Sequence, residues 1–376
     1  MKVTVVAHEV GTPGGMERQL GELVNGLLER GHTVTVVARE CALGAHPRLR
    51  HVRVGGPRRP FALWYPWFFL FASFAVLRHR EGVVHTTGAL VFSRADVSTV
   101  HFCHRAYHSG SPVLRARRGS IPYRVNAFLA GWMSRVAEGF CYRPRVTRRL
   151  VAVSDGVAGE LGEHFPAMEG AVSVIPNGVD TAAFAPDPGR RATVRERWGA
   201  DGRDLVALFV GGEWERKGLR HAIEGVARAP GWRLVVVGDG DVERFAEVAR
   251  RAEVGERVRF AGAVADPAPY YAGADAFILP TAYETFSLVT YEAAASGLPL
   301  LVSRVSGVED ILVPGRNGWF IDRDADLIST RLQELAEDVT LRAAMGAAAL
   351  EDSARFDWSR SVDAYERLYR ELEAAG

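Results

Sequence analysis

The sequence predicts an α/β protein made of two tandem doubly wound domains, each with a parallel sheet. Three observations carry that prediction. β-Branched strand runs alternate with helical stretches; the alternation breaks off near residue 180 and then starts again; and 376 residues, about half of them apolar, suffice for two cores of ordinary size.

In the first series the strands are VTVVA, TVTVVAR, GVVHTT, VSTVHF, RLVAVS and VSVIP, short runs rich in β-branched residues. The stretch NGVDTAAFAPDPGRRATVRERWG carries the turn and proline signals of a linker. The second series runs LVALFVGG, RLVVVGDG, RVRFAG, AFILP, LPLLVS and GWFI. The last segment, FDWSRSVDAYERLYRELEAAG, has apolar residues at helical spacing and forms a closing helix. The expected division is residues 1–182 and residues 183–358, with the helix of about 359–376 packing back on the first domain. Ligands of such sheets gather at the carboxyl ends of the strands, so tandem sheets predict a cleft between the two domains.

Residues 61–77, FALWYPWFFLFASFAVL, are unusually apolar and are flanked by Arg58, Arg59, Arg78 and Arg80. The stretch is marginal in length for a bilayer span. Two readings stand: a helix buried beneath the first sheet, or one that dips into a membrane surface. The near-zero net charge hides an asymmetry. Residues 1–180 hold 22 Lys and Arg against 13 Asp and Glu, the rest 24 against 32, which gives +9 and −8. The basic half suits a solvated surface or an anionic partner such as a membrane, met peripherally; nucleic acid is not expected. Cys41, Cys103 and Cys141 are widely spaced, odd in number and in no metal-ligand pattern, which points to a reducing compartment. MKVTVVAHEV enters a strand directly, without the apolar block of a signal peptide, so the expected location is the cytoplasm, with peripheral contact at the inner face of the plasma membrane.

The chemistry concentrates in YETFSLVTYEAAASG, where Glu284 and Glu292 flank the expected start of a helix near Phe286. The first amides of that helix, from Phe286 through Ser287 and Leu288 to Val289, lack intrahelical partners and make a seat for phosphate. A nucleoside diphosphate sugar, with a sugar at each end and a diphosphate between, matches one carboxylate per sugar and amides for the diphosphate. VGGEWERKGLRHAI adds Arg216 and Lys217 after the first strand of the second series, where cations would meet charge that grows on a departing diphosphate. In the first half, GTPGGMERQL places Gly14 and Gly15 at a strand-to-helix turn, and His101 ends VSTVH at the carboxyl edge of a strand. Asp239-Gly240-Asp241 and Asp322-Arg323-Asp324 have DxD spacing but read better as turns after strands, so no metal or other cofactor is expected.

The order GGMERQL, VSVIPNGVD, FVGGEWERKG, VVVGDG, RFAG, PTAYETFSLVTYEAAASGLPLLVS, GRNGWFI resembles the retaining nucleotide-sugar glycosyltransferases of family four, over nearly the whole chain and most weakly at residues 40–95. The resemblance implies the GT-B fold, two Rossmann-like domains with an interdomain cleft. It implies that Lys217 binds the donor diphosphate, that Glu292 holds the nucleoside ribose and that Glu284 lies near the transferred sugar. Phe286, Ser287 and Leu288 match the loop whose amides meet the diphosphate and sugar, Val264 a residue beside the base, and Gly15 and His101 the first-domain elements that close over the donor; Thr285, Val289 and Gly14 are expected to bind the donor beside them. Two departures stand out: the arginine common five residues before the lysine is Gly212, its duty falling to Arg216, and the glycines usual around the phenylalanine are Thr285 and Ser287. The implied acceptor is a glycan, a lipid-linked glycan of cell-surface assembly, or a small molecule. The rivals are tailoring of a soluble secondary metabolite, a dinucleotide-binding oxidoreductase suggested by VVVGDG, and a nucleotide-sugar-binding protein without turnover.

Overall fold

In the computed structural model the described residues, 1–11, 14–109, 121–200 and 204–375, form two compact units: Met1–Asn177 with Trp358–Gly376, and Gly178–Asp357. Thr12 and Pro13 of the glycine turn, and Arg115, Arg117 and Arg118 of the basic half, lie outside the described residues. The border falls at 177/178 rather than 182/183. Val179 bridges to Asp357, and the Thr181 hydroxyl donates to the Asp357 carboxylate at 2.6 Å, which ties that segment into the second unit.

The first unit runs β1 (Lys2–Val6), β2 (Glu9–Val10), α1 (Gly15–Glu29), β3 (Thr33–Ala38), β4 (Glu40–Cys41), β5 (Leu49–Arg53), α2 (Phe61–His79), β6 (Val83–Thr87), β7 (Ala95–Val100), α3 (His104–Ser109), α4 (Ile121–Cys141), β8 (Thr147–Ala152), α5 (Asp155–His164) and β9 (Val172–Val174). Seven strands make a parallel sheet in the order β5-β3-β1-β6-β7-β8-β9, while β2 and β4 pair apart. Alternate residues face opposite sides. Val3, Val5, Val34 and Val36 pack with Leu20, Val24 and Leu27 of α1, whereas Val6 and Val37 pack with Phe68, Ala72 and Val76 of α2. The closing helix, Trp358–Ala374, joins the α1 side through Val362, Tyr365 and Tyr369. A buried polar chain fixes it there: Tyr369 Oη is 2.6 Å from His85 Nδ1, His85 Nε2 2.7 Å from the Thr99 hydroxyl, and that hydroxyl 2.8 Å from Tyr365 Oη. Burial pushes the His85 imidazole down to about 3, so the chain is uncharged. Cys103 and Cys141 are buried thiols, each pushed up to about 12 chiefly by desolvation.

The second unit runs α6 (Pro188–Trp198), β10 (Leu205–Val210), α7 (Trp214–Lys217), α8 (Leu219–Ala227), β11 (Trp232–Val237), α9 (Val242–Arg251), β12 (Val258–Gly262), α10 (Ala268–Gly273), β13 (Ala276–Leu279), α11 (Leu288–Ala295), β14 (Leu300–Val302), β15 (Gly318–Phe320), α12 (Ala325–Glu337) and α13 (Val339–Ser353). Its parallel sheet has the order β12-β11-β10-β13-β14-β15. Residues Val206 to Phe209 and Ala276 to Leu279 are fully buried, as expected for strands covered on both faces. Half of the expected linker is helix. Asp187 caps α6 by accepting from the amides of Gly189 and Arg190, Pro188 starts it and Gly199 ends it in the left-handed region. Buried Trp198 and an Arg195–Asp275 pair at 3.0 Å hold it to the body; the proline and glycine signals mark the helix ends, not an open linker.

Candidate active site

Both sheets reverse strand order at one point, between β1 and β6 in the first unit and between β10 and β13 in the second. Crossovers leave in opposite directions there, and the loops part at the carboxyl ends of the strands. In the second unit that gap is lined by the two charged segments singled out in the sequence. The turn after β10 leads through α7 to Lys217, and the loop after β13 carries Glu284; Lys217 Nζ stands 3.0 Å from Glu284 Oε1, both side chains only 12% exposed. Two glycines make the approach possible. A Cβ on Gly211, whose φ is +138°, would stand 2.6 Å from Lys217 Cδ, and one on Gly218, at φ +79°, would stand 2.0 Å from the Pro280 carbonyl oxygen.

Glu284 also accepts from the Thr281 hydroxyl at 3.2 Å. Arg216 is a brace. It donates from Nε and Nη2 to Glu213 at 3.0 and 2.8 Å and from Nη1 to the Tyr283 carbonyl, with Glu284 Oε1 at 3.4 Å. Its donors bind α7 to the loop after β13, while Lys217 keeps an ammonium at the gap. The helix begins at Leu288, two residues later than expected, because Ser287 takes a left-handed conformation (φ +66°, ψ +62°) and Phe286 is buried, stacked 4.2 Å from Tyr291. Backbone of this shape in a serine is strained and is a recurring feature of ligand loops. Thr285 precedes this turn. The Thr290 amide turns back on Ser287 O at 2.8 Å, so the free end of α11 is formed by the amides of Leu288 and Val289. Glu292, a turn further in, is 6% exposed and accepts from Tyr271 Oη at 2.7 Å.

In the first unit the reversal point holds a cavity of about 240 Å³ lined by His8, Trp64, Tyr65, His101, Glu138 and Tyr142 among others. Burial pushes the His101 imidazole down to about 4, so it is neutral at neutral pH, and its Nε2 is buried with no hydrogen-bond partner among the described residues. Glu138 accepts from the His104 ring at 2.7 Å and from the His104 amide at 2.8 Å. Gly14 precedes α1 at φ +151° and Gly15 is its first residue, so the glycine turn opens that helix.

The family described as "Glycosyl transferases group 1" matches residues 204–338, and "Glycosyltransferase Family 4" matches residues 13–183. A D-inositol 3-phosphate glycosyltransferase of Acidothermus cellulolyticus is 32% identical, with 97% of this chain and 87% of that protein aligned. The chain belongs to glycosyltransferase family 4. A D-inositol 3-phosphate glycosyltransferase of Kineococcus radiotolerans is 29% identical to this glycosyltransferase, over 96% of it and 91% of the relative. Among solved structures, WaaG, a glycosyltransferase involved in lipopolysaccharide biosynthesis, superposes with a TM-score of 0.81 at 18% identity over 98% and 99% of the two chains. Anabaena HepE in complex with UDP-glucose superposes at 0.73 and 19% over the full length of both. The fold of the enzyme is GT-B.

The parallel sheet brings Lys217, Glu284 and the start of α11 to one edge, with Val264 on the same edge in the turn after β12, two strands from β10, lining a hollow with Trp198 and Tyr270. The aspartates of the glycosyltransferase's DxD segments are half committed: Asp241 caps α9 by accepting from the Arg244 amide at 3.1 Å, and Asp324 caps α12 by accepting from the Asp326 amide at 2.8 Å. At Gly212 a Cβ would meet only the Asp239 carbonyl, at an ordinary contact distance of 3.5 Å, so the first atom of a side chain fits there. Sequence reasoning did not find Thr281, Tyr271 or the His104–Glu138 pair. Thr281 follows AFILP directly and could have been found by its place at a strand end; Tyr271 and Glu138 reach their partners from remote helices, and no local pattern marks them.

Proposed function

We propose that the enzyme moves a hexose from a nucleoside diphosphate sugar to an acceptor hydroxyl, with retention of configuration and without a metal, in the assembly of a cell-surface or lipid-linked glycan on the cytoplasmic side. The observation that carries this reading is the Lys217–Glu284 pair at the strand-order reversal, next to the free amides of α11. Lys217 and the amides of Leu288 and Val289 hold the diphosphate, Glu292 the ribose, and Glu284 a hydroxyl of the transferred sugar, while Arg216 fixes the loop that carries Glu284. Val264 supports the base. In this reading no side chain among the described residues serves as a covalent nucleophile; the acceptor oxygen attacks the anomeric carbon on the face from which the diphosphate leaves, the bond from that carbon to the phosphate oxygen breaks, and the leaving phosphate takes the acceptor proton. Charge that grows on the diphosphate is met by Lys217 and the amides, which do the electrostatic work of a metal. The UDP-glucose complex of HepE makes UDP-glucose the first donor to try. The names of WaaG and of the inositol phosphate relatives support a polar, phosphate-bearing or lipid-linked acceptor. In place of the donor-closing role that the resemblance implies, the neutral His101, which lines the first-unit cavity, would hydrogen-bond the acceptor's hydroxyls together with the His104–Glu138 pair.

A soluble, partly apolar acceptor is the second reading, supported by Phe61, Trp64 and Tyr65 on the cavity wall. The test is thermal shift against a nucleotide-sugar panel, then product analysis by nuclear magnetic resonance with and without a chelator. A ligand at a hundredfold its dissociation constant stabilises by about 2.7 kcal/mol. No stabilisation by any nucleotide sugar removes the donor reading, an inverted product removes retention, and loss of turnover in chelator removes metal independence. Partition of the product between butanol and water separates the two acceptor readings.

A further inference from the structure

Eleven of the large apolar side chains that the structure leaves exposed lie on just two helices of the first unit. On α2 they are Leu63, Trp67, Leu70, Phe71, Phe74 and Leu77; on α4 they are Val125, Phe128, Trp132, Val136 and Phe140. Each set follows spacings of three and four, one stripe along a helix face. The opposite faces are already used: Phe68, Ala72 and Val76 of α2 pack on the sheet, and Ser134 and Glu138 of α4 line the cavity. The two helices pack against each other. At 1.5 Å per residue each stripe is roughly 21 to 22 Å long, and neighbouring helices lie about 8 to 10 Å apart. The six aromatics are 41% to 68% exposed; at 150–250 Å² each they alone leave roughly 450–750 Å² in the open, at or beyond the largest patch of an ordinary monomer.

The charge around this face has one sign. Arg58 and Arg59 precede α2, Arg78 and Arg80 end it, Arg124 stands in the first turn of α4, and Arg143 and Arg145 follow its end; all seven are exposed. Arg58, Arg59, Arg78, Arg80 and Arg124 form no ion pair among the described residues. α2 has no acidic residue, and the one on α4, Glu138, is buried against His104. Glu81, the nearest acid in sequence to the end of α2, is paired with Lys2 at 2.9 Å.

We infer that the paired outer faces of α2 and α4 are a membrane-docking surface, which lies flat in the headgroup region of a bilayer rich in anionic lipid. α2 is long and apolar enough to cross a membrane, but its inner face is seated on the sheet, so it lies on the bilayer and does not cross it. The exposed aromatics enter the acyl boundary, and the arginines at the helix ends meet lipid phosphates, each such cation adding attraction that salt weakens. A second copy of this chain is the competing occupant, and an arginine border of a single sign repels it.

The test is co-sedimentation of the full chain with phosphatidylcholine vesicles and with vesicles that also contain phosphatidylglycerol, at low and high salt, with the oligomeric state measured by light scattering. The expected result is a monomer that binds the anionic vesicles, more weakly at high salt. Phe128→Ser with Trp132→Ser, both exposed and outside the cavity, lowers that affinity at least tenfold with no change in melting temperature or in donor hydrolysis. Arg78→Ser with Arg80→Ser removes most of the salt dependence. Equal and negligible sedimentation with both vesicle types overturns the proposal, as does a dimer dispersed by the Phe128→Ser and Trp132→Ser pair, or unaltered lipid binding by that variant. Sedimentation, light scattering and melting do not require the glycosyl transfer to succeed, so failure of the donor reading and failure of this one are distinguishable.

Discussion

Gly211→Ala should disable the enzyme through a residue it does not itself replace. A Cβ at this position would stand 2.6 Å from Lys217 Cδ, 2.8 Å from Cε and 3.0 Å from Nζ. Carbon contacts settle at about 3.5 to 4.0 Å, so the lysine must withdraw by about 1 Å. Because the clashing atoms are the far end of a flexible side chain, the stem yields with little strain, and the ammonium leaves its place 3.0 Å from Glu284. A misplacement of that size costs on the order of 10²-fold in rate, close to the 10²–10³-fold expected for Lys217→Ala. The φ of +138° adds a backbone penalty of about 1–3 kcal/mol, which a thermal melt reads separately from turnover. The assay is donor turnover in Gly211→Ala, Lys217→Ala and the double variant. If both act through one ammonium, the double variant is no slower than Lys217→Ala alone. Full turnover in Gly211→Ala, or losses that multiply, would refute the reasoning.

Glu292→Gln should weaken binding of the free nucleoside diphosphate, whereas Glu284→Gln leaves it nearly intact and slows transfer; equal losses of nucleotide affinity by calorimetry contradict the division between the two carboxylates. Arg216→Ala should lower turnover less than Lys217→Ala and loosen the loop after β13, since its donors are spent on Glu213 and Tyr283; hydrogen exchange at residues 281–287 is the readout. Glu160 has its carboxyl pushed up to about 7, chiefly by burial and then by Glu138 and Glu163. Its ionised form is penalised in the folded state, so the penalty is absent below the usual carboxyl range, grows from there to about pH 7, and is complete above. Glu160→Gln should therefore match the parent melting temperature near pH 4 and exceed it near pH 8, by an order of 1–2 kcal/mol once solvent screening of this partly exposed group is allowed for; equal melting at both pH values would place its partners elsewhere.

What the sequence could show depended on how local the cause was. The strands were legible because buried parallel strands are unbroken β-branched runs, and β5 was not, because LRHVR at a sheet edge is half exposed and holds two arginines and a histidine among five residues. Lys217 and Glu284 were legible as types near strand ends. Their pairing was not, since it needs Gly211 and Gly218 to let two distant loops touch. The start of α11 was misplaced because Ser287 adopts a backbone that its side chain disfavours, held there by the packing of Phe286 on Tyr291 and by contacts from Ser287 to Thr290 at 2.8 Å. The two readings of residues 61–77 each describe one face of α2, an outcome that a pattern apolar all round cannot separate.

The two units share a strand order over their first six sheet strands, with the reversal at the first strand, yet present opposite chemistry at that point. In the second unit the strand-end loops deliver an ammonium, a carboxylate and the free end of a helix, a set whose chemistry suits diphosphate and sugar hydroxyls. In the first they deliver aromatic rings, a neutral imidazole and a histidine–carboxylate pair whose carboxylate alone is buried, a set with weak charge that suits hydroxyls and apolar surface. The sheet determines where a ligand can enter, because only there do neighbouring crossovers part. The loops determine which ligand, because nothing in the sheet constrains their side chains. Exchange of Lys217 or Glu284 should therefore change donor use and leave acceptor binding alone, while His101→Ala should do the reverse, raising the acceptor KM with donor affinity kept. Loss of donor affinity in His101→Ala, measured by thermal shift, would show that the imidazole serves the donor and that the chemistry does not divide by unit.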